Sequence, residues 1–329
     1  MDHNEHLAFI RLAALCLALL CGVTQAAAEG APSTPATQTG ACPPLATAPS
    51  LELMQAAMAQ ASDRGPLWRI SRDGHDSFLY GTLHIGKALW MAPGPVIRNA
   101  LRQSDTIALE LDPMDDAVQA EMAARLAALP SVVLAPALQA RLARAWQFEC
   151  LPANALDSGP PEMKAIALLV LAGRRDGLDP AYASEVMLAA LARLGKRRLV
   201  SLETVSMQLD VLMGQTAAEV EDMVRETLDE LEADPNRATM MRMVIAWAAG
   251  DVAELERYDQ WCECVNSDAE RARMKRMLDE RNPGMARGID ELHAAGGHVF
   301  AAVGTLHMTG GTGLPALLAA RGYAVQRLR

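Results

Sequence analysis

The residues best suited to chemistry in this 329-residue chain are two histidines and a glutamate. His84 and His307 each close the same four letters, Gly-Thr-Leu-His, in "FLYGTLHIG" and in "FAAVGTLHMTG". Four letters can repeat by chance, but here the settings match too. Each copy ends a short apolar run, continues with an apolar residue and has a glycine close behind, Gly86 or Gly310. A neutral imidazole is both a metal ligand and a general base near neutral pH. Glu110 is the third candidate because it interrupts the otherwise apolar "IALEL". A buried carboxylate needs a partner: either an arginine pairs with it, or it faces the histidines. In the second case, two imidazoles and one carboxylate form a common ligand set for a catalytic divalent metal. Such a set leaves positions open for water and substrate.

Other residues could contribute. Gly81 and Gly304 are expected to let the chain turn sharply beside a ligand, in backbone conformations closed to other residues. Glu203 follows the run "RLVSL" and either reaches the same rim or caps a helix with Thr204. Arg281 and Asn282, in "DERNPG", either close a helix before Pro283 or orient a carboxylate or an oxyanion. His75 reads as a solvated hairpin residue, and His293 and His298 as helix-end and strand-start residues. The "GGTG" at 310–313 lacks the lysine of a phosphate loop. No HExxH is present, and no G-x-S-x-G supports serine catalysis.

Something must hold these residues together. "PLWRISRDGHDSFLYGTLHIG" places two apolar runs around Asp73-Gly74, a hairpin signal whose second strand covers 77–80. Helical spacing in "PGPVIRNALRQSD" (93–105, with Val96, Ile97, Ala100 and Leu101) and a strand at about 106–111 follow, giving a strand–helix–strand unit. Proline-punctuated helical sequence fills 114–195, a strand is expected at 198–202, and a second helical block covers about 205–292. The end of the chain reads as strand (298–303), loop, helix (314–321) and strand (323–328). The expected class is α/β (α+β). A central, mostly parallel sheet is built from the N- and C-terminal segments, with large helical insertions between. Both histidines then fall at carboxyl ends of strands, where open α/β sheets bind ligands.

Composition narrows the function. Hydrophobic residues make up 51% of the chain and aromatics only 4%, so the core must rely on aliphatic side chains and methionine. A formal net charge of −10 without a long basic run argues against nucleic-acid partners and against an anionic membrane surface. The run "LAALCLALLCGV" at 12–23 is short for a membrane span and is followed by small residues at 26–28. Residues 1–26 are therefore expected to be a cleaved export signal, residues 27–48 a flexible mature terminus, and residues 49–329 a single domain. The protein would be periplasmic or secreted, with no stable membrane span after cleavage; an uncleaved N-terminal membrane anchor is the alternative. Export leaves Cys42, Cys150, Cys262 and Cys264, which suggest disulfides of unread connectivity. Cys262 and Cys264, two positions apart, are not expected to bond each other.

The chain resembles the TraB/PrgY/GumN family, which is related to the Tiki proteases. The likeness rests on "FLYGTLHIG", "IALELD", "GLDPAYASEVMLAALARLGKRRLVSLETVSMQLDVL", "DERNPGMARGIDEL" and the last thirty-odd residues, covering roughly residues 65–329. The family's mark, two G-x-x-H motifs and a glutamate after the first, falls on Gly81/His84, Gly304/His307 and Glu110. The resemblance is greatest to the exported, bacterial GumN-like branch. It implies two related halves whose motifs meet at one site, and metal-dependent proteolysis. The implied ion is Co or Mn, with Zn also open, held by His84, Glu110 and His307. The expected function is an exported, peptidase-like hydrolase acting on a peptide or protein, with Glu203 assisting and Arg281 steadying an oxyanion. Two alternatives stay open: a metal-free, histidine-based esterase-like hydrolase, and a non-catalytic protein that binds a peptide or haem-type ligand.

Overall fold

Strands β1 (Leu67–Arg72) and β2 (His75–Thr82) form the expected hairpin. Asp73 and Gly74 between them both have positive φ, 54° and 83°, as a tight two-residue turn of this hand requires. The computed structural model describes residues 42–44, 46–47, 50–156, 159–262 and 264–329. The export signal expected at 1–26 and most of the stretch expected to be flexible lie outside the described residues. Within that stretch, Cys42 is disulfide-bonded to Cys150, and the Thr47 amide donates to the Tyr182 hydroxyl at 3.1 Å.

Four further strands complete one sheet: β3 (Thr106–Leu109), β4 (Arg198–Ser201), β5 (Val299–Gly304) and β6 (Ala324–Arg327). Their order is β4-β3-β5-β2-β1-β6. The four strands from β4 to β2 run parallel, and β1 and β6 are antiparallel additions at one side. The strand expected at 106–111 stops at Leu109, so Glu110 lies just beyond the strand end.

The central strands are apolar on both faces, as a sheet covered on both sides demands. Phe78, Tyr80, Ile107, Leu109, Phe300 and Ala302 turn to one side and pack in one cluster. Leu79, Ala108, Ala301 and Val303 alternate to the other. Helices α1 (Leu51–Ala59), α2 (Pro95–Arg102), α3 (Asp116–Ala128), α4 (Pro136–Phe148), α5 (Pro161–Leu171) and α6 (Ser184–Leu194) precede β4. Helices α7 (Val205–Leu212), α8 (Ala217–Ala233), α9 (Ala238–Ala249), α10 (Val252–Glu256), α11 (Tyr258–Trp261), α12 (Asp268–Met277) and α13 (Asn282–Ala294) lie between β4 and β5. Helix α14 (Leu314–Ala319) connects β5 to β6. Ile97 and Leu101 of α2 and Met187 and Leu188 of α6 cover the first face; Met285 and Ile289 of α13 and Leu314 and Leu318 of α14 cover the second. The inserted helices bury clusters of their own, one around Leu142, Leu168 and Val224, another around Leu126, Val205 and Leu209. Among the described residues no helix is long and apolar enough to cross a membrane.

Three local readings change. Cys262 and Cys264 do bond each other: the bend after α11 brings their Cα atoms to 5.1 Å, within disulfide reach. Arg281 and Asn282 open α13 rather than close a helix, with Pro283 in its first turn, where its missing N–H costs nothing. His75 is not a solvated turn residue but the first residue of β2, stacked on buried His293 at 3.8 Å between ring centroids.

Candidate functional site

The parallel strands deliver their carboxyl ends side by side. β2 and β5 pair with Gly81 opposite Val303 and Thr82 opposite Gly304, so the two Gly-Thr-Leu-His copies are neighbours offset by one residue. β3 runs beside β5 and β4 beside β3. Across the rim the order is therefore Glu203 after β4, Glu110 after β3, His307 after β5 and His84 after β2. The Glu203 amide donates to the Glu110 carbonyl at 3.0 Å, extending the ladder one step beyond the strands.

Glu110 is fixed through both oxygens. Oε1 accepts from the Gly304 amide at 2.7 Å, and Oε2 accepts from Arg281 Nη2 at 2.6 Å. Burial opposes its charge, but the His307 and His84 imidazoles, the Arg281 guanidinium and the Gly304 N–H outweigh it and hold the pKa down at about 2. Glu203, whose side chain is fully buried, takes Arg281 on both oxygens, Nε at 2.8 Å and Nη2 at 2.5 Å. Gln208 Nε2 bridges the two acids at 3.3 and 3.2 Å.

Arg281 ties the rim together. Besides the two glutamates, its Nη1 donates to the Met277 carbonyl at 2.9 Å and approaches His307 Nε2 at 3.2 Å. All five guanidinium N–H bonds thus have acceptors. Burial alone would lower its pKa, yet the two carboxylates raise it.

The histidines differ in state. His307 is buried, and burial pushes its pKa down to about 4, so the ring is neutral at pH 7. Asn282 donates to the Thr312 carbonyl at 2.9 Å, which leaves its amide oxygen to accept from His307 Nδ1 at 2.6 Å. The remaining lone pair of His307 is on Nε2. His84 is 64% exposed, and its Nδ1 meets Glu185 Oε1 at 2.5 Å. The Glu185 carboxylate raises its pKa to about 9.

Gly304 marks where the groups converge. A methyl group on its Cα would stand 3.1 Å from Glu110 Oε1, 3.4 Å from His307 Cδ2 and 3.9 Å from His84 Nε2. Neither Gly304, with φ of −44°, nor Gly81 has positive φ. Their value is therefore the missing side chain rather than a backbone conformation that other residues resist. At Gly81 a Cβ would strike the Thr305 hydroxyl at 2.7 Å and Pro66 at 2.8 Å.

The donor set suits a divalent metal: each histidine has one ring nitrogen held by a carbonyl or carboxylate, the usual outer support of metal-bound imidazole. The spacing does not close on an ion. Among the described residues no group of three or more His, Cys, Asp or Glu side chains is gathered to hold a metal. Arg281 lies between Glu110 and His307 and already satisfies both.

A cavity of about 490 Å³ opens beside the rim. His84, Glu110, Glu185 and Gln208 form its polar end, and Thr82, Ala302, Leu111, Pro113 and α3 form its walls. The structure thus brings His84, Glu110, Glu203, Arg281, Asn282 and His307 together, and places His75, His293 and His298 in a separate cluster at the amino-terminal ends of β2 and β5. Sequence reasoning missed Glu185 and Gln208. Glu185 sits in the first turn of α6, where an acid is ordinary helix chemistry.

No curated protein and no solved structure matches the chain. One family model does, over residues 66–327, which takes in every strand and every rim residue described above. On that match, spanning most of its length, the chain belongs to the TraB/PrgY/gumN family.

Proposed function

We propose that the protein is an exported hydrolase that cleaves an amide or ester bond, peptidase-like in its chemistry, at the rim between the two Gly-Thr-Leu-His loops. The observation that carries this reading is the meeting of His84, Glu110 and His307 around the open face of Gly304, next to a cavity of substrate size. A divalent ion, Mn, Co or Zn, belongs to the proposal, with His84, Glu110 and His307 as its holders. When bound, it would supply an acidified water and a Lewis acid for the carbonyl. The chain's own residues prepare that role. Asn282 fixes His307 with Nε2 free of its proton, and Glu185 holds His84 by Nδ1, with Nε2 3.9 Å from where a Cβ on Gly304 would stand. The Gly304 amide aims Glu110. Arg281 would have to give up Glu110 and His307 for them to serve an ion, while Glu203 keeps it close. Its fully occupied donors favour this positioning role over direct contact with an oxyanion.

A second reading rests on the same arginine. With Arg281 in place, His84 can act without metal: paired with Glu185, its imidazolium donates the Nε2 proton to the leaving group as water adds to the carbonyl, and takes a proton back from that water as the acid forms. Metal analysis of the purified protein beside a His84→Ala/His307→Ala variant separates the two. One equivalent of divalent ion, lost in the variant, supports the metal-dependent reading. Equal negligible metal in both, with hydrolysis that survives exhaustive chelation, supports the metal-free one.

A further inference from the structure

The cavity wall formed by α3 has a pattern of its own. Asp116, Gln119, Ala120 and Ala123 are spaced i, i+3, i+4, i+7, so they share one helix face, and all four line the cavity. That face is polar at its start and small in its middle. Val118 and Met122 border it, anchored in the cluster with Leu126 and Leu209. Leu111, Pro113 and Ala302 supply the apolar surface around it. The alanines keep the cavity wide; a large residue at 120 or 123 would fill it.

Charge gives the cavity a sign. Its ionisable lining is Glu110, Glu185, Asp116 and His84. The His84 Nδ1–H is committed to Glu185, and Arg281, which does not line the cavity, has every donor occupied. Asp116, also in the lining, is exposed. An anionic group entering here would meet three carboxylates against one cation, the His84 imidazolium, which Glu185 already pairs, and no free guanidinium or ammonium. An apolar group would lose only its contact with water.

We infer that the cavity selects substrates carrying a bulky, uncharged apolar group beside the scissile bond and rejects an acidic group there, with Ala120 and Ala123 setting the size accepted. This selectivity rests on the hydrolase reading for its biological meaning, but the binding step can be measured without turnover. The test is calorimetric titration of the full chain with N-acetyl-Leu-Leu-amide and with N-acetyl-Glu-Glu-amide; if the first is cleaved, the ratio is read in kcat/KM instead. The leucyl compound should bind at least about tenfold more tightly, the scale on which apolar pockets discriminate. Ala120→Phe and Ala123→Phe, at exposed helix positions, should each lose that preference while melting with the wild type. Equal affinity for the two compounds, or an unchanged preference in both folded variants, overturns the inference. If the leucyl compound binds selectively and no hydrolysis is found, the cavity inference stands and the hydrolase reading falls.

Discussion

The Arg281 guanidinium meets the Glu110 carboxylate at 2.6 Å, with each side chain only 11% exposed. The same Arg281 nitrogen reaches Glu203 at 2.5 Å. One cation therefore holds two buried acids that come from different strands, and it does so from the start of α13. Removing it leaves two buried carboxylates without their partner. Arg281→Ala should cost about 3–5 kcal/mol of folding stability, the usual penalty for breaking a buried pair. Arg281→Lys should recover only part of this, because an ammonium cannot span both acids. Urea unfolding of the three proteins checks the order; near-equal midpoints would mean that the tie is not structural.

Gly304→Ala separates geometry from stability. Its new methyl group presses on Glu110 Oε1 at 3.1 Å and reaches the edges of both imidazoles, but the backbone there suits alanine. Activity should fall by roughly a hundredfold, as small displacements of reacting groups do, while the melting temperature moves little. A variant as active as the wild type would place the chemistry elsewhere.

How much of this site could be read in the letters depends on how local each signal is. The two loops and Glu110 were legible because a charged or imidazole residue interrupts an apolar strand pattern. Strand ends were placed within a residue or two, enough to line up His84, Glu110, Glu203 and His307. Glu185 and Gln208 were not legible, since both look like ordinary helix residues, and the contacts that bring them to His84 and Glu110 lie 101 and 98 residues away in sequence. The cavity wall on α3 was hidden for the same reason: its spacing announces a helix face, not what that face meets. The Cys262–Cys264 bond was misjudged because closeness in sequence was taken as an obstacle, whereas the local bend sets the Cα distance.

The His293 ring gives a pH prediction away from the rim. It is fully buried, and burial lowers its pKa from the ordinary 6.5. Its Nδ1 meets the Ser77 hydroxyl at 2.9 Å and its Nε2 the Arg72 carbonyl at 3.1 Å; His75, Arg72, Asp73 and Tyr323 surround it. The unfolded chain binds a proton near pH 6.5 that the folded chain refuses, so stability is full above that pH and falls as pH drops below it. Unfolding midpoints at pH 7.5 and 5.5 should differ more in the wild type than in His293→Gln. The same difference in both would assign the acid sensitivity to other groups.

The two disulfides should contribute unequally. Cys42 and Cys150 are 108 residues apart, and closing so long a loop is worth about 4–5 kcal/mol in the chain-entropy account. Cys262 and Cys264 enclose almost no loop. Cys42→Ser with Cys150→Ser should therefore lower the melting temperature clearly, and Cys262→Ser with Cys264→Ser much less. The reverse order in a thermal unfolding comparison would contradict this.

The central claim is that hydrolysis occurs at the rim where the two histidine loops meet. Its most direct test is release of product from an apolar peptide amide by the purified protein, with Mn²⁺, Co²⁺ or Zn²⁺ added, compared with Glu110→Gln and His307→Ala variants shown to be folded. The account predicts turnover by the wild type and a loss of at least about a hundredfold in each variant. Turnover that persists undiminished in both folded variants would contradict it.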